Sequence, residues 1–144
     1  MIAGYCYEWV SQSNPEGDDY DIELEDGFRA KWNFSNTLFA INPDSFEQVG
    51  CIHTTQGLEF DYCGIIIGQD LRYENDKVIT DPSKEAVSDK SSGIRTCKNT
   101  VLADRLIRNT YKTLLSRGQK GCFIYCEDKA LLEYISKMVN IEIE

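Results

Sequence analysis

The segment Cys63-Gly64-Ile65-Ile66-Ile67 restricts the fold more than any other. It is apolar throughout and three successive residues are β-branched, so the strand it forms has no polar face to offer water. Strands of this kind belong to parallel sheets covered on both faces, and parallel neighbours are joined by crossovers that are usually helical. Gly121 to Cys126 repeats the pattern, and Ile2 to Trp9 and Gln48 to Ile52 read as further core strands. Asn99 to Ser116 has helical periodicity, with Leu102, Ala103, Leu106, Ile107 and Leu114 on one broad apolar face. Asp128 to Met138 reads as a second helix with Asp128 as its N-cap. These elements predict one α/β domain over residues 1–144, a mostly parallel sheet with flanking helices. In such sheets ligands bind beyond the carboxyl ends of the strands. Functional residues are therefore expected just after Ile52, Gly68 and Cys126, and at helix starts.

The connections carry their own signals. Residues 11–27 are polar and acidic, with Asn14-Pro15 and Glu16-Gly17 as turn residues, and read as a surface loop or hairpin tip. Phe28 to Phe34 reads as a short edge strand. Leu71-Arg72-Tyr73 and Lys77-Val78-Ile79 flank Glu74-Asn75-Asp76 as a small hairpin. Residues 81–98, rich in Ser and Lys, are expected to form a mobile loop. Gly118 and Gly121 are expected to break the chain, and Ile141 to Ile143 to add a last edge strand. The chain opens directly on a strand, as expected of a domain whose upstream part is missing.

The net charge of −9 argues against a nucleic-acid partner until its distribution is considered. Seven of the 24 acids lie between Glu16 and Asp26; the 17 that remain nearly balance the 15 bases. Between Lys90 and Lys120 eight bases face a single acid, Asp104. On the helix over Asn99–Ser116, Arg105, Arg108 and Lys112 form a stripe that suits phosphates, or simply a solvated face. The six cysteines have no Cys-x-x-Cys spacing and only one His accompanies them, so no metal site is expected. Buried thiols in a reducing cytoplasm fit better. No apolar run reaches the ~18 residues that span a bilayer, and no membrane association is expected.

The chemistry concentrates in Gly50-Cys51-Ile52-His53-Thr54-Thr55-Gln56-Gly57-Leu58-Glu59-Phe60-Asp61. A strand ends at Ile52, small polar residues follow, and Gly57 permits close backbone approach to a ligand. Amides and hydroxyls there suit phosphates, and the Glu59 carboxylate suits a ribose or a metal-bound water. By itself the pattern is a weak phosphate-site signal and fits a plain strand–turn–strand connection better.

Residues 53–61 resemble motif V of superfamily 1 helicases, and residues 109–118, ending in Ser116-Arg117-Gly118, resemble their motif VI. The bacterial helicase-like P-loop ATPases related to Schlafen proteins are similar through four phrases in order: Ala3-Gly4-Tyr5-Cys6, Gly57 to Tyr62, Asp81-Pro82-Ser83-Lys84, and Arg108-Asn109-Thr110-Tyr111. The resemblance implies a RecA-like second half of a motor. His53, Thr54 and Thr55 would touch nucleic acid, DNA in preference to RNA, with Arg105, Arg108 and Lys112 as further contacts. Gln56, Gly57 and Glu59 would approach the nucleotide, and Arg117 would be the arginine finger, exposed at a helix end without a carboxylate partner. ATP and Mg²⁺ would be held by the N-terminal RecA-like half of the same protein, so this part alone would be inactive. One departure is that the helicase motif has Ala where this chain has Gly118.

Other readings remain. Asp70 and Asp128 each follow a strand as a Walker B acid does, but the chain holds no Gly-x-x-x-x-Gly-Lys-Ser/Thr loop to accompany them. A strand-end residue and a helix cap are the plainer assignments. The acidic run lacks the ligand spacing of an EF-hand. A degenerate RecA-like protein-interaction module is the alternative to the motor, and a nuclease is disfavoured because no clustered acid–Lys motif is present.

Overall fold

A computed structural model describes residues 1–15, 17–33, 39–41 and 43–139. The expected strand over 141–143 lies outside them.

Three strands form the central sheet in the order β1 (Ile2–Ala3), β5 (Phe60–Ile67), β8 (Gly118–Cys126), all parallel. A second sheet orders β2 (Ile22–Glu23), β3 (Arg29–Trp32) and β4 (Gln48–Val49), with β3 and β4 parallel and β2 antiparallel at its edge. A single parallel bridge, Ile2 with Gly50, splices the two sheets. Ala3 N–H donates to Gly50 O and Gly50 N–H to Met1 O, both at 2.9 Å. The fold is thus α/β with a mostly parallel sheet, compatible with the RecA-like class. Several details differ from the sequence reading. The first strand stops at Ala3 rather than Trp9, β4 stops at Val49 rather than Ile52, β3 lies between two partners rather than at an edge, and Gly118 and Gly121 stand inside β8, which leaves Phe123 exposed instead of being buried on both faces.

The pleat of β5 explains the unbroken apolar run. Ile65 and Ile67 enter one buried cluster, and Ile66 enters the other. The first cluster lies under α1 (Thr100–Leu115) and α2 (Lys129–Val139). Asn99 caps α1 by accepting from Leu102 N–H at 3.1 Å. The buried face of α1 is Ala103, Ile107, Tyr111 and Leu114, spaced by four, four and three. Leu102, expected on that face, is exposed. Asp128 caps α2 through Ala130 N–H at 2.9 Å. Its other oxygen accepts from Tyr73 N–H at 2.8 Å in the hairpin of β6 (Leu71–Glu74) and β7 (Lys77–Thr80). The hairpin turns at Asn75 and Asp76, both with positive φ, as a tight turn between twisted strands requires. Tyr73 stacks on Tyr134 of α2 at 4.4 Å.

Residues 81–98 are pinned to the body of the domain. Ala86 N–H donates to Tyr5 O at 2.8 Å, Ser88 N–H to a Glu8 carboxylate oxygen at 3.0 Å, and Arg95 to the carbonyls of Ser83 and Glu85. Glu85, Ala86 and Ile94 are buried. The polar composition that suggests a loose loop in the sequence serves these anchoring bonds. Among the described residues, no helix is long and apolar enough to cross a membrane.

Candidate functional site

The two motifs converge at the amino ends of β5 and β8. Phe60 N–H donates to Arg117 O at 2.9 Å, placing Glu59 and Arg117 beside each other. This is the opposite end of the strands from where ligands of parallel sheets usually bind. The strands then fall out of step: Phe60 pairs with Gly118, but Tyr62 pairs with Gly121. The extra residue in β8 is a bulge. Around it Gln119 Nε2 donates to Glu59 Oε2, and Lys120 Nζ pairs with Asp61 Oδ2 at 2.7 Å. Sequence inspection does not single out Gln119 or Lys120, because their partners follow from a register that the sequence leaves open.

Gly118 departs from the helicase motif for a steric reason. A Cβ placed there would stand 2.2 Å from Gly121 O, and backbone cannot move aside as a side chain can. The bulge therefore excludes the alanine that similar motifs carry.

Arg117 sits just past the helix, whose C-cap is Ser116. Among the described residues no carboxylate lies within ion-pair distance of it. Its Nη1 reaches Leu58 O at 3.4 Å, and its Nε is buried without a hydrogen-bond partner. The side chain is half-buried rather than freely exposed, because it lies back over the Leu58 turn.

Motif V forms a tight turn after β4. Thr54 Oγ1 accepts from Cys51 N–H at 2.7 Å, and Thr55 Oγ1 donates to Cys51 O at 3.0 Å. Thr55 is wholly buried, so its hydroxyl serves the turn and is absent from the surface expected to meet nucleic acid. His53, Gln56, Gly57 and Glu59 are exposed, and Thr54 is half-buried. Gly57 has φ +79°, a conformation that favours glycine. His53 lies near Tyr5, with ring centroids 6.0 Å apart.

The basic stripe is exposed but unequal. Arg108 Nε binds both Asp104 oxygens, at 2.9 and 3.0 Å, and Arg108 Nη2 donates to Val78 O at 2.7 Å. It ties α1 to the hairpin. Arg105 and Lys112 face solvent.

Asp70 is more than a strand-end residue. It is buried, accepts from the Tyr111 hydroxyl at 2.5 Å, and lies beside Cys6 and Glu85. Gly68 N–H donates to the same hydroxyl at 3.0 Å. Burial, and next the neighbouring Asp70 charge, push Glu85 up to about 9. Burial also raises Asp70, against the opposing pull of the Tyr111 hydrogen bond. Burial thus favours the protonated form of Glu85 beside the Asp70 carboxyl. All six cysteines are free thiols, and Cys63 and Cys122 are register partners in β5 and β8. Among the described residues, no group of three or more His, Cys, Asp or Glu side chains is placed to hold a metal ion.

The family model described as "Schlafen group 3, DNA/RNA helicase domain" matches residues 1–128, and the chain belongs to that family. It is also similar to an uncharacterised protein of Saccharomyces cerevisiae, YPL245W, at 30% identity over 128 residues. That match covers 82% of this chain but 28% of the yeast protein, so the chain spans little more than a quarter of its relative. No solved structure matches it.

Proposed function

We propose that this chain is the second RecA-like half of a superfamily 1 helicase-type motor. It supplies Arg117 as the arginine finger and Glu59 at the ribose of an ATP held, with Mg²⁺, by an N-terminal RecA-like half of the same protein. The observation that carries the reading is the Phe60–Arg117 hydrogen bond, which joins motif V to motif VI at one edge. A guanidinium without a carboxylate partner stands there beside an exposed carboxylate. Charge accumulates on the phosphoryl oxygens in the transition state, and a planar, always-charged fork suits them. Gln56 and Gly57 line the approach to the nucleotide. His53 and Thr54 begin a nucleic-acid track, DNA in preference to RNA, which Arg105 and Lys112 extend. Thr55 has no place on it. Six free thiols fit a reducing cytoplasm.

The test is ATP turnover by the full-length protein in the presence of single-stranded nucleic acid. Turnover that requires both halves is expected, with none by this chain alone. ATP hydrolysis by the isolated chain overturns the reading. So does a full-length protein without a phosphate-binding loop, which leaves a RecA-like interaction module.

A further inference from the structure

Trp9, Trp32, Tyr5 and His53 stand in contact order around one cavity of about 240 Å³. Trp32 meets Tyr5 and Trp9 edge-on, with centroids 5.9 and 6.0 Å apart and interplanar angles of 89° and 78°. Tyr5 and Trp32 are buried and form the floor; Trp9 is half-buried and His53 exposed, so these two rings flank the mouth. The opposite wall is the 81–98 loop, which contributes Ser88, Asp89 and Lys90. Its anchors are Glu8, which accepts from Val87 and Ser88 N–H, and the Ser88 hydroxyl, which accepts from Trp9 N–H at 3.3 Å.

Two lining residues each keep a buried polar atom with no partner among the described residues. Trp32 Nε1 is a donor and Asp89 Oδ2 an acceptor. Leaving such atoms unpaired costs free energy, and ligand sites are a common place to find them. A ligand that complements them is flat, aromatic and carries both an acceptor and a donor on its edge. A volume below the ~300 Å³ of drug-sized sites suits a single ring system. Lys90 at the rim gives an attached phosphate a counter-charge.

We infer that this cavity is a pocket for one nucleobase of a bound single strand, stacked between Trp9 and His53, with Lys90 on the adjoining phosphate. The inference rests on the nucleic-acid track proposed above and gives that track a second kind of contact. Phosphates would be held by Arg105 and Lys112, and one base by the aromatic arc. Stacking of this sort is tolerant of sequence, because every base has a π-face.

The chain contains two tryptophans and both line the cavity, so its own fluorescence reports occupancy. The experiment titrates the chain with single-stranded oligothymidylate and with an abasic strand of the same length. Tryptophan quenching follows the pocket and the anisotropy of a label on the strand follows total binding. Oligothymidylate is expected to quench and to bind about 10-fold more tightly than the abasic strand, a gap within the range of one stacked base. Trp9→Ala should bring the two strands to the same affinity while leaving abasic binding unchanged; His53→Ala, which also removes a contact of the track, should weaken both strands and narrow the gap between them. Trp9→Phe should keep much of the gap. His53 is exposed, so its variant folds even if those of Trp9 do not, and the narrowed gap between the two strands then carries the test. Equal affinity without quenching overturns the base pocket and leaves the track standing. No binding of either strand overturns both. Quenching by trimethyllysine but not by oligothymidylate makes the cavity a cation site and overturns the inference.

Discussion

Arg117 O accepts a hydrogen bond from Phe60 N–H at 2.9 Å, although the two residues stand 57 positions apart in the chain. Through this one backbone bond the end of motif V and the end of motif VI become neighbours. A carboxylate and a guanidinium are thereby fixed at the same end of the two strands without being paired to each other.

If Arg117 is the finger, Arg117→Ala in the full-length protein should lower ATP turnover by at least ~10²-fold while nucleotide affinity changes less than about tenfold, since a finger acts mainly on the transition state. Arg117→Lys should recover little, because an ammonium lacks the bidentate fork. Steady-state ATPase rates beside equilibrium nucleotide binding provide the check. Near-normal turnover in the alanine variant removes the motif VI assignment.

Gly118→Ala writes the residue of similar helicase motifs into this chain, and it should harm rather than help. The new methyl would meet the Gly121 carbonyl, and such overpacking costs about 1–3 kcal/mol. Denaturant melts of the two proteins measure this directly. An unchanged midpoint would mean that the bulge relaxes freely.

Glu85 predicts an unusual pH profile. Its carboxyl is raised from an ordinary value of 4.5 to about 9 by burial and then by the Asp70 charge. Between those limits the unfolded chain has lost a proton that the fold retains. Stability contributed by this group is therefore complete below pH 4.5 and is lost as pH rises toward 9, by up to about 1.4 kcal/mol per pH unit for one proton. Glu85→Gln should flatten the slope and gain on the wild type as pH increases. Melting temperatures of both proteins from pH 5 to 9 give the comparison, and parallel curves would contradict the raised Glu85 carboxyl.

The three bases of the helical stripe should separate. Arg105→Ala and Lys112→Ala should each reduce the salt slope of nucleic-acid binding by about 1, as the loss of one phosphate contact does. Arg108→Ala should mainly lower the melting temperature, because that side chain holds Asp104 and the Val78 carbonyl. Binding isotherms at several salt concentrations distinguish the two behaviours. A salt slope unchanged by either Arg105 or Lys112 would make the stripe an ordinary solvated face.

Local rules were legible wherever neighbouring residues decide the outcome. The apolar run ending in Ile65-Ile66-Ile67 dictates a strand buried on both faces, Asn99 and Asp128 mark helix starts, and Asn75-Asp76 marks a tight turn. The order of the motif-like phrases carries the helicase-like family. Each of these signals fits within a few residues, so one stretch of sequence holds all of it. Register and burial are different, because they arise from segments far apart in the chain. Nothing beside Gly118 announces that Gly121 O will occupy the space of its side chain. Nothing near Thr55 shows that its hydroxyl turns inward while His53 turns out. Asp70 and Glu85 come together in one buried cluster, and Trp9 meets Trp32, only after β5, the 81–98 loop and the second sheet pack together. Neighbouring residues set the long buried strand, the two helices and the phrases that carry the motifs; packing between distant segments set which of those residues reach the surface and which spend their polar atoms on the fold.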